Sequence, residues 1–240
     1  MIRTIFIDLD DTLWATQENN RDSLEEIYRL RGWEANLGPF DEFFKVYQPH
    51  NDHLWDLYRR GEVTKHELTL RRLREPLEPG LGRLTDEQVL EINADFLART
   101  AEKEKVVPGA LELLCELKQL YRIVVVSNGF REIQTRKMAS SGILPYIDAT
   151  VLSEDAESNK PNKRFFTYAF SVSHTRPSEV IVIGDSWDAD IIGAQNVGIP
   201  SIWFNPHREP QPELQAPKAP VYEVAALSEI VPLLTSLRVC

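Results

Sequence analysis

Cysteine is scarce in this 240-residue chain: only Cys115 and Cys240 occur. Two such distant thiols build no disulfide framework, and no Cys-x-x-Cys or Cys/His spacing offers a zinc site. A reducing, cytoplasmic setting is expected. Cys115 sits in a helix-like stretch, residues 111–118, and reads as a small core hydrophobe. Cys240, the last residue, reads as a mobile end. Long apolar runs are missing as well. No segment approaches the ~18 consecutive apolar residues of a membrane span. The early run Ile5-Phe6-Ile7 meets Asp8 too soon for a secretory signal. Positive charge is in deficit, with 27 Lys and Arg against 37 Asp and Glu, a formal net charge of −10. That balance disfavours nucleic-acid polymers and anionic membranes as partners. It leaves room for a small phosphorylated substrate, because a metal ion and one lysine reverse the field locally. Internal repeats are absent too.

What is present is an ordinary globular composition, 42% hydrophobic and 27% charged, in a chain long enough for a substantial core. Short runs of Ile and Val predict buried strands at residues 3–9, 121–127, 179–184 and 201–204, with a weaker one at 149–152. Helical patterns fall near 108–120, 131–141, 161–171 and 188–197, and a last strand (221–224) and helix (227–237) close the series. Strands alternating with helices make an α/β fold, a Rossmann-like parallel sheet covered on both faces. Residues 14–105 interrupt the alternation with four amphipathic helices, near 18–31, 39–60, 63–75 and 85–103. Gly61, Pro76, Pro79-Gly80 and Gly82 punctuate them. This block reads as an all-helical insertion.

The chemistry starts at the end of the first strand, where Ile5-Phe6-Ile7 runs into Asp8-Leu9-Asp10-Asp11-Thr12. Carboxylates at the mouth of a buried strand repel one another and lose hydration, a poor arrangement for stability. It suits a divalent cation held beside a nucleophile. Asp8 and Asp10, two apart, face the same side. Ser127-Asn128-Gly129 ends the second strand, Lys160-Pro161 opens a helix, and Gly184-Asp185-Ser186-Trp187-Asp188-Ala189-Asp190 follows the fourth strand. Ligands on parallel sheets bind at strand carboxyl ends, so these distant segments can converge on one site.

These four motifs, in this order, resemble the haloacid dehalogenase superfamily of phosphohydrolases over essentially the whole chain. The resemblance implies that Asp8 attacks phosphorus, and that Asp10 protonates the leaving alcohol and then activates water. To hold a proton at neutral pH, Asp10 needs a raised pKa, which crowding by other acids supplies. The resemblance further implies a Mg²⁺ ion on Asp8, Asp185 and the main-chain carbonyl of Asp10, with Asp190 orienting that shell. Lys160 supplies positive charge. Ser127, Thr12 and the amides of Asn128 and Gly129 are expected to meet the phosphate. One departure is that relatives often carry glycine where this chain has Glu157-Ser158-Asn159. Metal-free dehalogenases lack the second acid of the first motif, so Asp10 and Asp185 favour a phosphatase.

The resemblance assigns residues 1–13 and 106–240 to the catalytic core and 14–105 to a helical cap that selects the leaving group. The cap is aromatic, with Trp14, Trp33, Phe40, Phe43, Phe44, Tyr47, Trp55 and Tyr58, most of them expected as its interior. Leu13-Trp14, Asn19-Asn20-Arg21 and the stretch from Asn51 to Gly61 resemble a subgroup of pyrimidine nucleotide 5′-phosphatases. Asn51 and Trp55, one helical turn apart, then become candidates for holding a base, although capping or packing would explain them equally. The expectation is a Mg²⁺-dependent 5′-nucleotidase for pyrimidine-type mononucleotides. The alternatives are a sugar-phosphate phosphatase or phosphomutase, and a non-catalytic binding module of the same fold.

Overall fold

The computed structural model describes residues 1–214 and 216–237, so Cys240 lies outside the described residues. The chain forms two compact units, one of Met1–Thr16 with Glu104–Cys240 and one of Gln17–Lys103.

The smaller unit is helical: α1 (Thr16–Leu30), the short α2 (Glu34–Leu37), α3 (Phe40–Arg59), α4 (Lys65–Leu81) and α5 (Asp86–Thr100). Apolar residues at helical spacing make one core, with Leu24, Ile27 and Tyr28 of α1 meeting Phe40, Phe43 and Tyr47 of α3, Leu70, Leu73 and Leu77 of α4, and Val89, Ile92 and Phe96 of α5. Phe44 packs at its margin. Reciprocal capping boxes start two of the helices, Thr64 with Glu67 on α4 and Thr85 with Gln88 on α5. Two expectations are corrected here. Trp14 does not join these aromatics and is buried in the core of the larger unit. Pro76, Pro79 and Gly80 do not form a loop, because α4 continues through them to Leu81. Pro76 and Leu77 are buried, and that packing outweighs the lost backbone hydrogen bonds.

The larger unit holds one sheet of six strands: β1 (Thr4–Ile7), β2 (Arg122–Ser127), β3 (Ala149–Leu152), β4 (Val180–Gly184), β5 (Ser201–Phe204) and β6 (Val221–Val224). Their order is β3-β2-β1-β4-β5-β6 and every pairing is parallel. Alternation along each strand feeds two cores. Ile5 and Ile7 point with Ile123 and Val125 toward Leu113, Leu114 and Leu117 of α6 (Ala110–Lys118), Met138 of α7 (Arg131–Ser140) and Ile230 and Leu234 of α11 (Ile230–Ser236). Phe6, Val124, Val126 and Val182 point the other way, joining Ala156 of the short α8 (Ser153–Ala156), Phe165, Phe166 and Ala169 of α9 (Lys163–Ser173) and Ala194 of α10 (Ile192–Val197). Cys115 is exposed, against expectation. The buried stripe of α6 runs through positions 110, 113, 114 and 117, and residue 115 falls off it.

From β1 the chain builds outward to β2 and β3, then crosses back to build β4, β5 and β6 on the other side. Connections diverge between β1 and β4, so a crevice opens at their carboxyl ends. Asp8 and Asp185 stand there, each the first residue beyond its strand.

Gly80 provides a stability test. A Cβ built there would lie 2.5 Å from Leu37 Cδ2 and 2.7 Å from the carbonyl oxygen of Asn36, so its absence lets α2 approach α4. Alanine ordinarily favours a helix over glycine by roughly 1 kcal/mol, whereas overpacking costs about 1–3 kcal/mol. Gly80→Ala is expected to destabilise by about 1 kcal/mol or more, seen as a lower urea midpoint. A raised midpoint would show that α2 simply moves aside.

Candidate active site

Beyond β1 the backbone turns sharply: the Leu9 carbonyl accepts from the amides of Leu13 (3.0 Å) and Trp14 (2.9 Å). Leu9 and Leu13 are buried, which anchors the turn and leaves the intervening acids at the crevice. Asp11 takes the left-handed conformation, φ 59°, that this tight turn requires.

At the centre lies a buried ion triad. The Lys160 ammonium donates to Asp8 Oδ1 (2.6 Å), to Asp190 Oδ1 (2.7 Å) and to the Val126 carbonyl (2.9 Å). All three of its protons are thereby used. Asn128 clasps the backbone of this lysine, its Oδ1 accepting from the Lys160 amide (2.8 Å) and its Nδ2 donating to the Lys160 carbonyl (3.1 Å). The side chain of Asn128 thus serves the lysine. Asp190 also accepts from the Ser186 amide (3.2 Å) and sits on a turn of π-helix, Trp187–Ile191, that runs into α10. Gly184 makes this possible, since a Cβ there would overlap the Asp190 carboxylate. Glu157, where a glycine was the familiar residue, takes φ 47° and ends α8 in the left-handed conformation.

Thr12 meets Asp185. Its hydroxyl donates to Asp185 Oδ1 (2.9 Å) and accepts from the Asp185 amide (3.0 Å). Donating one bond and accepting the other, the Thr12 hydroxyl ties the first-strand loop to Asp185. Trp203 contributes from β5, donating its indole N–H to the Asp185 carbonyl (2.8 Å).

Asp10 faces a second set of donors. Its Oδ1 accepts from Lys137 Nζ (2.7 Å) and Thr16 Oγ1 (2.9 Å), and its Oδ2 from Gln134 Nε2 (2.7 Å) and Ser127 Oγ (3.3 Å). Ser127 Oγ in turn accepts from the Gly129 amide (2.9 Å) and from Gln134 (2.7 Å). A Cβ on Gly129 would collide with the Gln134 amide. Sequence reasoning missed Gln134 and Lys137. The available signal was polarity in the wrong place, since both occupy the buried stripe of α7 with Ile133 and Met138.

Electrostatics separate the acids. Burial, opposed by Lys160 and reinforced by Asp190 and Asp10, raises Asp8 to about 7. Burial, with Asp8 and Asp190 adding repulsion, lifts Asp185 well above the ordinary carboxylate range. Asp10 goes the other way, contrary to the expected rise. Burial pushes it up, but the Lys137 charge and the hydrogen bonds from Lys137, Gln134 and Thr16 bring it below its ordinary value. Lys160 is desolvated, yet Asp190 and Asp8 hold it firmly protonated.

Asp8, Asp185 and Asp190 can each offer one carboxylate oxygen within 4.8 Å of the others. These are hard oxygen donors carrying more negative charge than one ammonium balances, which fits a small divalent cation. Asn51 and Trp55 belong to α3 of the helical unit. Asn51 is buried and donates to Asp52 Oδ1 (3.3 Å), while Trp55 meets Tyr58 edge-on at 5.7 Å.

The haloacid dehalogenase-like hydrolase family model matches residues 2–198. The chain belongs to this family. It is an enzyme, a phosphoric monoester hydrolase. It is 31% identical to the pyrimidine 5′-nucleotidase YjjG of Escherichia coli over 96% of both chains. It is 28% identical to the pyrimidine 5′-nucleotidase PynA of Streptococcus pneumoniae, over 95% of this chain and 92% of that one. The magnesium-bound crystal structure of the HAD-hydrolase YfnB from Bacillus subtilis superposes with a TM-score of 0.85 at 25% identity, covering 98% of this chain and 99% of that one. Among the described residues, no helix is long and apolar enough to cross a membrane.

The raised carboxyl of Asp8 has a consequence for this hydrolase. Unfolded, Asp8 titrates near 3.8; folded, near 7. The folded state therefore binds an extra proton between those values, and stability falls as pH rises through that window. In chelator, the melting temperature is expected to drop between pH 5 and 7.5, to recover with Mg²⁺ at the higher pH, and to drop less in Asp8→Asn. A wild-type fall matched by Asp8→Asn would place the lost protons elsewhere.

Proposed function

We propose that this hydrolase is a Mg²⁺-dependent, cytoplasmic phosphatase that forms an aspartyl phosphate on Asp8 and acts on pyrimidine-type nucleoside 5′-monophosphates. The substrate class rests on the likeness to a pyrimidine 5′-nucleotidase along 96% of both chains. The chemistry rests on the buried triad of Asp8, Lys160 and Asp190 beside a differently tuned Asp10.

A phosphate monoester repels any carboxylate that attacks it, so the site works chiefly by positioning and charge neutralisation. Asp8 Oδ forms the bond to phosphorus as the ester oxygen leaves. Lys160 holds Asp8 in place and balances its charge, and Asp190 holds Lys160. Ser127 and the amides of Asn128 and Gly129 receive the phosphoryl oxygens. Asp10 gives a proton to the leaving oxygen and later takes one from the water that cleaves the aspartyl phosphate. A phosphate dianion nearby raises the proton affinity of Asp10, so substrate binding itself favours the acid form. Asp8, Asp185 and the main-chain carbonyl of Asp10 would hold Mg²⁺, which when bound neutralises phosphoryl oxygens. We assign the choice of leaving group to the helical unit, 14–105 in its widest extent, with Asn51 and Trp55 as base contacts.

Phosphate release with Mg²⁺ across nucleoside monophosphates and sugar phosphates tests this reading. UMP and dTMP are expected to lead, and a sugar-phosphate preference would discard the nucleotide assignment while keeping the phosphatase. Asp8→Asn should lose at least ~10³-fold in kcat, because an amide is a poor nucleophile; near-normal turnover would sink the mechanism. Trp55→Ala should lower kcat/KM for UMP roughly tenfold more than for 4-nitrophenyl phosphate. Equal losses on both would mean that Trp55 only supports the fold.

A further inference from the structure

The first turns of α7 bury an amide and an ammonium where a sheet-covering helix ordinarily buries aliphatic side chains. Gln134 is fully buried and Lys137 is 5% exposed. The two stand three residues apart on the same face. Desolvating such groups is unfavourable unless they find partners. The partners they find are in the active site. Gln134 Nε2 reaches Asp10 Oδ2 and Ser127 Oγ, and Lys137 Nζ reaches Asp10 Oδ1 while lying 4.3 Å from the centre of the Trp14 ring.

Each oxygen of Asp10 is thus gripped by one residue of α7, which fixes the carboxylate both in place and about its own bond axis. Thr16 adds a second bond to Oδ1 and Ser127 one to Oδ2. Trp14 fills the space behind the ammonium. The indole is fully buried, and its ring face favours a cation over a neutral group.

We propose that Gln134 and Lys137 are positioning residues that hold the Asp10 carboxylate in the orientation proton transfer to the leaving oxygen requires. This rests on the reading of Asp10 as the acid and base of the reaction. A side chain that places a proton donor matters in proportion to how much the leaving group needs a proton. The nucleoside alkoxide leaving UMP needs one; 4-nitrophenolate departs without it. The parameter to compare is kcat/KM, which covers the steps up to leaving-group departure.

Lys137→Met is expected to lower kcat/KM for UMP by about 10²-fold, the scale set by a misplaced catalytic group. For 4-nitrophenyl phosphate the loss should stay within roughly 3-fold. Lys137→Arg, which keeps charge and donors, should recover much of the UMP rate, and Gln134→Leu should show the same selectivity as Lys137→Met. Equal losses on both esters, or no loss on either, would overturn the proposal. If Lys137→Met gives no cooperative melt, Gln134→Leu carries the same comparison. A wild-type protein that hydrolyses neither ester with Mg²⁺ would instead overturn the reading of the site on which the proposal rests.

Discussion

The structure depends on one buried constraint: Lys160 must be neutralised, and Asp8 and Asp190 must be close enough to do it. An ammonium that deep is tolerable only with every proton bonded, and two carboxylates that close are tolerable only with a cation between them. The three distances, 2.6, 2.7 and 2.9 Å, meet both conditions at once. Three segments far apart in sequence are tied to one point. The loop after β1 brings Asp8, the loop before α9 brings Lys160 on the clasp of Asn128, and the π-turn after β4 brings Asp190.

The parallel sheet is what makes that meeting possible. Its β1 and β4 strands are fully buried short runs that lie next to each other in register with β2, Ile7 opposite both Val125 and Ile183. Their ends therefore fall at one level, with the crevice between β1 and β4 directly above. Ordinary apolar packing sets the frame, and the polar network takes its geometry from the frame. The site spends some of that stability, since burial and mutual repulsion make the charged forms of Asp8 and Asp185 harder to hold than in water.

Much of this was legible in the residues. Strand runs such as Ile123–Val126 and the alternation with helices specify a parallel α/β sheet, because few other arrangements bury Val and Ile on both faces. The acids at the strand ends marked the site for the same physical reason. Three things resisted. Pro76 and Pro79 read as breakers, but burial along α4 overrode local propensity. Cys115 read as core because the pattern around it is apolar, yet one residue of helical phase decides which side faces in. The tuning of Asp10 was invisible because Lys137 lies 127 positions away and pairs with it only in the fold. The motif of acids alone implied the opposite shift. Likewise, Thr12 offers a hydroxyl whose partner, Asp185, no local pattern names.

Two glycines stand at strand ends, Gly184 closing β4 and Gly129 two residues past β2, and each leaves the space that a later side chain fills: Gly129 for the amide of Gln134, Gly184 for the carboxylate of Asp190. In evolutionary terms each pair is epistatic. A side chain gained at the glycine must displace its partner, and on the roles proposed for Gln134 and Asp190, shrinking the partner first weakens the site. On those roles either order of substitution passes through a weakened intermediate, so the members of each pair are expected to change together.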